Sequence, residues 1–268
     1  MDTVTHAWQW LSSPISGSSQ HLITPAVYWH ARVMVLAWGV CLPLGALIAR
    51  YFKVTPHQDW PRVLDNPMWW HGHRGLQYTG VLLMSLGLFL VWGSSDAGAS
   101  PMSNVSNVSN VSNVSNVTRL HHVLGWCVLM LGWAQMLGGI LRGSKGGPTD
   151  PHMAGDHYDM SRWRVVFERL HKSLGWLAIV LAVPVILLGL LNADAPRWML
   201  GLLLVWWSVL LAAAAHWQRR GCCMDTYQAI WGTDPHMPGM QRAPIGWGVR
   251  RTQQHPWHRA CPPTQHRF

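Results

Sequence analysis

Apolar residues along this chain gather into five long runs, residues 33–49, 76–92, 123–141, 173–191 and 198–215, separated by polar, turn-rich stretches. A hydrocarbon layer about 30 Å thick is crossed by roughly 20 apolar residues in helical form. Each run approaches that length and gains a turn or more from its flanks, so the pattern predicts five transmembrane helices. Composition agrees: the 268 residues are 49% hydrophobic and only 12% charged, where a soluble domain carries about 25% charged residues. Packing all five runs into one soluble core would bury nearly half the chain and leave little polar sequence to cover it. The expected fold class is an all-α membrane protein.

The net charge of +9 is unevenly spread. Arg50, Lys53, Arg62 and Arg74 flank the loop between the first two runs. Arg142, Lys145, Arg162, Arg164, Arg169 and Lys172 lie in or beside the loop between the third and fourth, and Arg219 and Arg220 open the tail. The N-terminus has no Lys or Arg, the second–third loop only Arg119, and the fourth–fifth loop only Arg197. By the positive-inside rule this places the N-terminus outside and the C-terminus in the cytoplasm. The basic excess is a topology signal, and no basic folded domain suggests a nucleic-acid partner. No secretory signal peptide is apparent, because residues 1–26 lack an apolar h-region as well as a basic one.

This divides the chain into an extracytoplasmic segment (1–26), a transmembrane domain (27–217) and a cytoplasmic tail (218–268). Residues 103–117 repeat Ser-Asn-Val five times and read as a slipped insertion, which an exposed loop tolerates at little entropic cost. Asp-Pro-His-Met occurs at 150–153 and again at 234–237, and reads as loop punctuation. The five cysteines form no paired framework, and with no Cys-x-x-Cys-His motif covalent haem attachment is excluded. Lysines are few beside arginines, which points to a bacterium and hence to its inner membrane.

Ionisable residues at spanning helices are costly and usually functional. Four histidines, His30, His73, His121 and His171, each stand a few residues before the start of the first four runs. Successive helices run antiparallel, so His30 and His121 share the outer level, while His73 and His171 share the inner one. Two stacked bis-histidine haems, with iron as the metal at each pair, need that arrangement, four helices forming the haem-binding bundle. The helix faces agree. Below His121 come Gly125, Gly132 and Gly139, below His171 come Gly175, Ala178, Ala182 and Gly189, and below His73 come Gly80 and Gly87. Ala37 and Cys41 sit less cleanly under His30. Small residues leave room for a flat macrocycle, although they also serve ordinary helix packing in membranes. His122 is rotated off its face by about 100°, and His71 has Tyr78 and Leu82 below it. The fifth run has no histidine at an equivalent level and is expected to cover the bundle.

The segment HARVMVLAWGVCLPLGALIARYFK from His30 resembles the first core helix of the cytochrome b561 domain. The resemblance continues at HRGLQ from His73, at HHVLG from His121 with Gln135 beyond it, and at HKSLGW from His171, covering roughly residues 28–191. It implies two non-covalent haems b, ligated by first with third and second with fourth core helices, the pairing already reached from topology. It also implies an oxidoreductase that moves electrons across the membrane, often from ascorbate to an outer acceptor. Many relatives have six helices and an extracytoplasmic electron-accepting domain, neither of which is seen before the first run. If the host is a bacterium, ascorbate is not the expected donor.

The leading expectation is therefore a transmembrane electron carrier with a small-molecule or protein donor and acceptor. Lys53, Arg62, Arg74, Lys145, Arg162 and Lys172 stand ready for haem propionates or an anionic donor. A quinol- or superoxide-linked cytochrome, or the anchor subunit of a larger dehydrogenase, would use the same core, with quinone as partner. A non-redox structural or sensory membrane protein is the reading of another class, and a homodimeric assembly stays open. At about 1.5 Å per residue, roughly a dozen residues between the two histidine levels would set the irons about 20 Å apart. Single cysteines at Ser109 and Ser144 test the orientation. An impermeant thiol reagent on whole cells should label position 109 and not 144, and the opposite pattern reverses inner and outer.

Overall fold

A computed structural model of the chain describes residues 3–17, 23–95, 111–148 and 155–258. The Ser-Asn-Val tract up to Asn110, the first Asp-Pro-His-Met tetrapeptide and Cys261 lie outside the described residues. The elements are helical: α1 (Thr3–Ser12), α2 (Pro25–Tyr51), α3 (Pro67–Ser95), α4 (Val111–Ile140), α5 (Arg162–Asn192), α6 (Arg197–Arg219) and α7 (Thr226–Trp231). Among the described residues only isolated bridges, and no strands, accompany them. The helices α2 to α6 are long and apolar enough to cross a bilayer, and each corresponds to one of the five apolar runs. Their flanks are longer than the runs suggest, so each histidine stands one or more turns inside its helix. The first residues, which read as turn-rich, instead contain α1.

The surface fits lipid. Leu82, Phe89, Leu202, Val205 and Leu211 are all more than 60% exposed. In water each such side chain would forfeit about 1.5–3 kcal/mol of burial, whereas acyl chains accept them at no cost. This is an integral membrane protein.

Helix α2 begins with a proline at its first position and with the Thr24 hydroxyl accepting from the Val27 amide, a pairing suited to a helix start. Its middle, Val35–Cys41, is a π-helix. Pro43 explains the location, because it has no N–H to give to the Gly39 carbonyl four residues earlier. The indole N–H of Trp206 from α6 donates to that carbonyl at 2.9 Å instead.

The chain divides into two compact units, each drawing on segments of all five spanning helices. One comprises Met1–Pro43, Tyr78–Trp133 and Leu177–Leu210, and the other Leu44–Gln77, Ala134–Trp176 and Leu211–Phe268. In the first unit Ala37, Trp38, Met84, Val128, Ala178 and Ala182 are buried. Glycines let its helices close up. A Cβ on Gly132 would meet the Met84 sulfur at 2.9 Å, and one on Gly80 would meet Leu42 Cδ2 at 2.6 Å. In membranes, where lipid tails compete equally for apolar contact, such close approach supplies much of the association energy.

In the second unit the segment after α6 is folded rather than trailing. Val54, Trp60, Met224 and Ala229 form one buried cluster, and Met160, Tyr227 and Ile245 another. Cys222 and Cys223 are buried within this segment, out of reach of an acyl chain. Inside the same segment the Arg251 guanidinium ties to Asp225 at 2.7 Å and to the carbonyls of Met240 and Gly239.

The glycine contacts are open to test. Gly80→Ala drives a methyl group into Leu42 and should cost about 1–3 kcal/mol by overpacking. Gly201→Ala on α6, where nothing lies within 4 Å, should stay within about 0.5 kcal/mol of wild type. Unfolding in detergent by a mild denaturant measures both, and equal stabilities would contradict the packing described.

Candidate functional site

Each compact unit contains one pair of the sequence-predicted histidines. In the first, the rings of His30 on α2 and His121 on α4 have centroids 6.4 Å apart and planes at 80°. In the second, His73 on α3 and His171 on α5 repeat this, at 6.4 Å and 84°. His71 and His122, the neighbours set aside on helical phase, are exposed.

A neutral imidazole has one N–H donor and one lone pair, and the group that engages one nitrogen decides what the other can do. His30 Nδ1–H donates to the Gly87 carbonyl at 2.8 Å, His73 Nδ1–H to Gly45 at 2.9 Å and His121 Nδ1–H to Val185 at 3.0 Å. A carbonyl only accepts, so in each case Nδ1 carries the proton and Nε2 keeps its lone pair. Backbone carbonyls orient metal-bound histidines in the same way. His171 differs: among the described residues its buried Nδ1 has no partner, and its ring stacks on Phe167 at 5.1 Å and 27°.

The spacing suits a shared metal ion. With a metal–imidazole bond of about 2 Å and a ring nitrogen about 1.1 Å from its centroid, two rings on opposite sides of one ion have centroids about 6 Å apart. Two protein donors are too few for a structural zinc site. Among the described residues no group of three or more His, Cys, Asp or Glu could hold a metal ion. Such pairs suit a metal that arrives with its own equatorial ligands, as haem iron does.

The small-residue faces divide between two roles. A Cβ on Gly125 or Gly139 would meet nothing within 4 Å, so these two positions are open. Gly189 makes room for His121 itself, whose Cε1 would lie 3.0 Å from an added Cβ. Gly80, Gly87 and Gly132, in contrast, are filled by Leu42, by Val33 and Met34, and by Met84 and Trp38. At those three positions ordinary helix packing accounts for the glycine.

The basic residues of the second unit are largely engaged. Lys172 Nζ donates to Glu168 Oε1 and to the Ile245 carbonyl, both at 2.6 Å, and Arg50 donates to the Trp247 carbonyl at 2.7 Å. Buried Lys53 donates to the Met224 carbonyl at 3.0 Å. Burial, with Lys172 nearby, pushes its ammonium down to about 8. Lys145 pairs with Asp65, and exposed Arg62 with Asp59. Arg74 lies over the Trp70 ring at 5.6 Å and Arg162 is exposed. Sequence reasoning missed the carbonyl partners, since a backbone acceptor leaves no mark in residue type.

No family profile and no solved structure matches the chain. Curated proteins do. A cytochrome b561 and DOMON domain-containing protein of Arabidopsis thaliana is 27% identical over 166 residues, 62% of this chain and 34% of that protein. A cytochrome b561, DM13 and DOMON domain-containing protein of the same plant is 26% identical over 175 residues, 65% of this chain and 16% of the relative. Another of the b561 and DOMON type is 29% identical over 164 residues, 60% and 27% respectively. The chain is similar to cytochrome b561 proteins. It spans about a third or less of the length of these relatives.

One further buried group in this b561-like chain titrates. His157 accepts from the Trp231 indole at 3.1 Å and lies among Tyr158, Tyr227, Arg142, Lys145, Arg164 and Glu168. Burial first, then the Arg164 guanidinium, pushes it down to about 3. The unfolded chain takes up this proton near pH 6.5 and the folded one does not. Stability from this group is therefore complete above pH 6.5 and lost progressively as pH falls towards 3. Melts from pH 7 to 4 should show a steeper decline for wild type than for His157→Gln. Parallel profiles would contradict the assignment.

Proposed function

We propose that this chain is a transmembrane cytochrome of the b561 type that carries electrons across its membrane. In this reading His30 and His121 hold one haem b, and His73 and His171 hold a second, both without covalent attachment. The observation that supports it most is the repetition of one geometry: two crossed imidazole pairs at the same 6.4 Å separation, on the helix pairing that alternating topology requires. The similarity to b561-domain proteins supports the same chemistry independently.

Bound haem iron supplies a one-electron couple between ferrous and ferric states. The residues of the chain determine what that couple can do. Each histidine pair would supply both protein ligands to its haem iron, which would disfavour oxygen binding and leave electron transfer as the default. The Gly87, Gly45 and Val185 carbonyls fix three of the rings and raise their basicity as ligands. The apolar exteriors of the spanning helices keep water from the sites. On this reading the N-terminus is outside, Lys and Arg hold the alternate loops in the cytoplasm, and the His73–His171 pair faces the inner side. In this reading the membrane is a bacterial inner membrane, on the ground of the few lysines, whereas the relatives are plant proteins.

Purified protein analysed as its pyridine haemochrome should contain two haems b per chain. His73→Ala or His171→Ala should lower this to about one, while His71→Ala and His122→Ala keep both. One haem per chain with all four histidines intact would overturn the two-centre reading.

A further inference from the structure

We infer that Phe167 and His171 set the His73–His171 site to the higher midpoint potential of the two. This rests on the proposal that each pair holds a haem. The two sites match in ring separation and ring crossing, so their difference must come from what surrounds the rings.

The first difference is at Nδ1. Both rings of the His30–His121 pair donate to carbonyls, whereas in the other pair His73 does so and His171 has no partner among the described residues. An imidazole that gives its Nδ1 proton to an acceptor gains electron density and stabilises ferric iron; one without an acceptor is a weaker donor and favours ferrous iron. Phe167 stands four residues before His171, where an acceptor side chain could reach Nδ1, and offers its ring face instead.

The second difference is charge. Arg74 adjoins His73, and Lys172 adjoins His171. Arg164 lies two turns before His171, and Glu168 stands between, 3.9 Å from Arg164 and 2.6 Å from Lys172. Lys53 adds a cation that is 5% exposed. The corresponding stretches around His30 and His121 carry only Arg32 and Arg119. Excess positive charge near an iron stabilises its reduced state, the more so at low dielectric. Both differences act in the same direction.

The experiment is a potentiometric titration of the haem-loaded protein followed at the α band, with haem content measured in parallel. Wild type should titrate in two components. His121→Ala should retain the higher-potential component, and His171→Ala the lower. Phe167→Gln, which brings an amide oxygen within reach of Nδ1, should move only the higher midpoint downward, with both haems kept. Phe167→Leu, which removes the stack and supplies no acceptor, should leave the higher component above the other. Two haems with the reverse assignment, or a Phe167→Gln variant in which the lower midpoint moves or neither moves, would overturn the inference alone. A single haem in wild type would overturn the two-site reading beneath it.

Discussion

A histidine inside a membrane must satisfy two ring nitrogens where no water reaches them, and the rest of this structure follows from how that is done. The nitrogen Nδ1 is turned to a backbone carbonyl on a neighbouring helix in three of the four rings. The remaining nitrogen then has a lone pair and no proton, and the two rings of each pair have centroids 6.4 Å apart. On the proposed reading, one metal ion would satisfy both lone pairs of a pair at once. Two of the three carbonyls belong to glycines, Gly45 and Gly87, at positions where neighbouring helices come close. Added Cβ atoms there would lie 2.5 Å from Gln77 Nε2 and 2.9 Å from Val33 Cγ2. The glycines thus serve the histidines through helix spacing.

Much of this was legible from residue pattern. Five apolar runs became five spanning helices, and the four histidines chosen by helical phase are the ones that meet in pairs. Helix α2 was the least readable, for a physical reason. Faces beneath His30 were projected at 3.6 residues per turn, yet Val35–Cys41 is π-helical and advances its side chains by a smaller angle. The cause, Pro43 with the indole of Trp206 on the abandoned carbonyl, links residues far apart in sequence. The small-residue stripes were half right: Gly125 and Gly139 are open, but Gly80 and Gly132 are filled by apolar side chains.

The segment after α6 was also poorly legible. Its Gly, Pro, His and Met content read as loop, yet it buries Met224, Tyr227 and Gln228 and presents carbonyls to Lys53, Lys172 and Arg50. Lys53, Lys172 and Arg50 are thus met by backbone carbonyls in a chain where carboxylates are few. That leaves the surroundings of His73 and His171 net positive, an arrangement bearing on any anion or redox centre placed there.

The central claim is that each crossed histidine pair supplies both axial ligands to one haem iron. Low-temperature electron paramagnetic resonance of the oxidised, haem-loaded protein tests this most directly, because the signal reports axial ligation and the mutual angle of the ligand planes. Rings crossed at 80° and 84° predict low-spin ferric signals of the highly anisotropic, large-g type and no high-spin signal. A high-spin ferric signal, marking an open axial position, would contradict the account, as would the ordinary rhombic signal of parallel imidazoles.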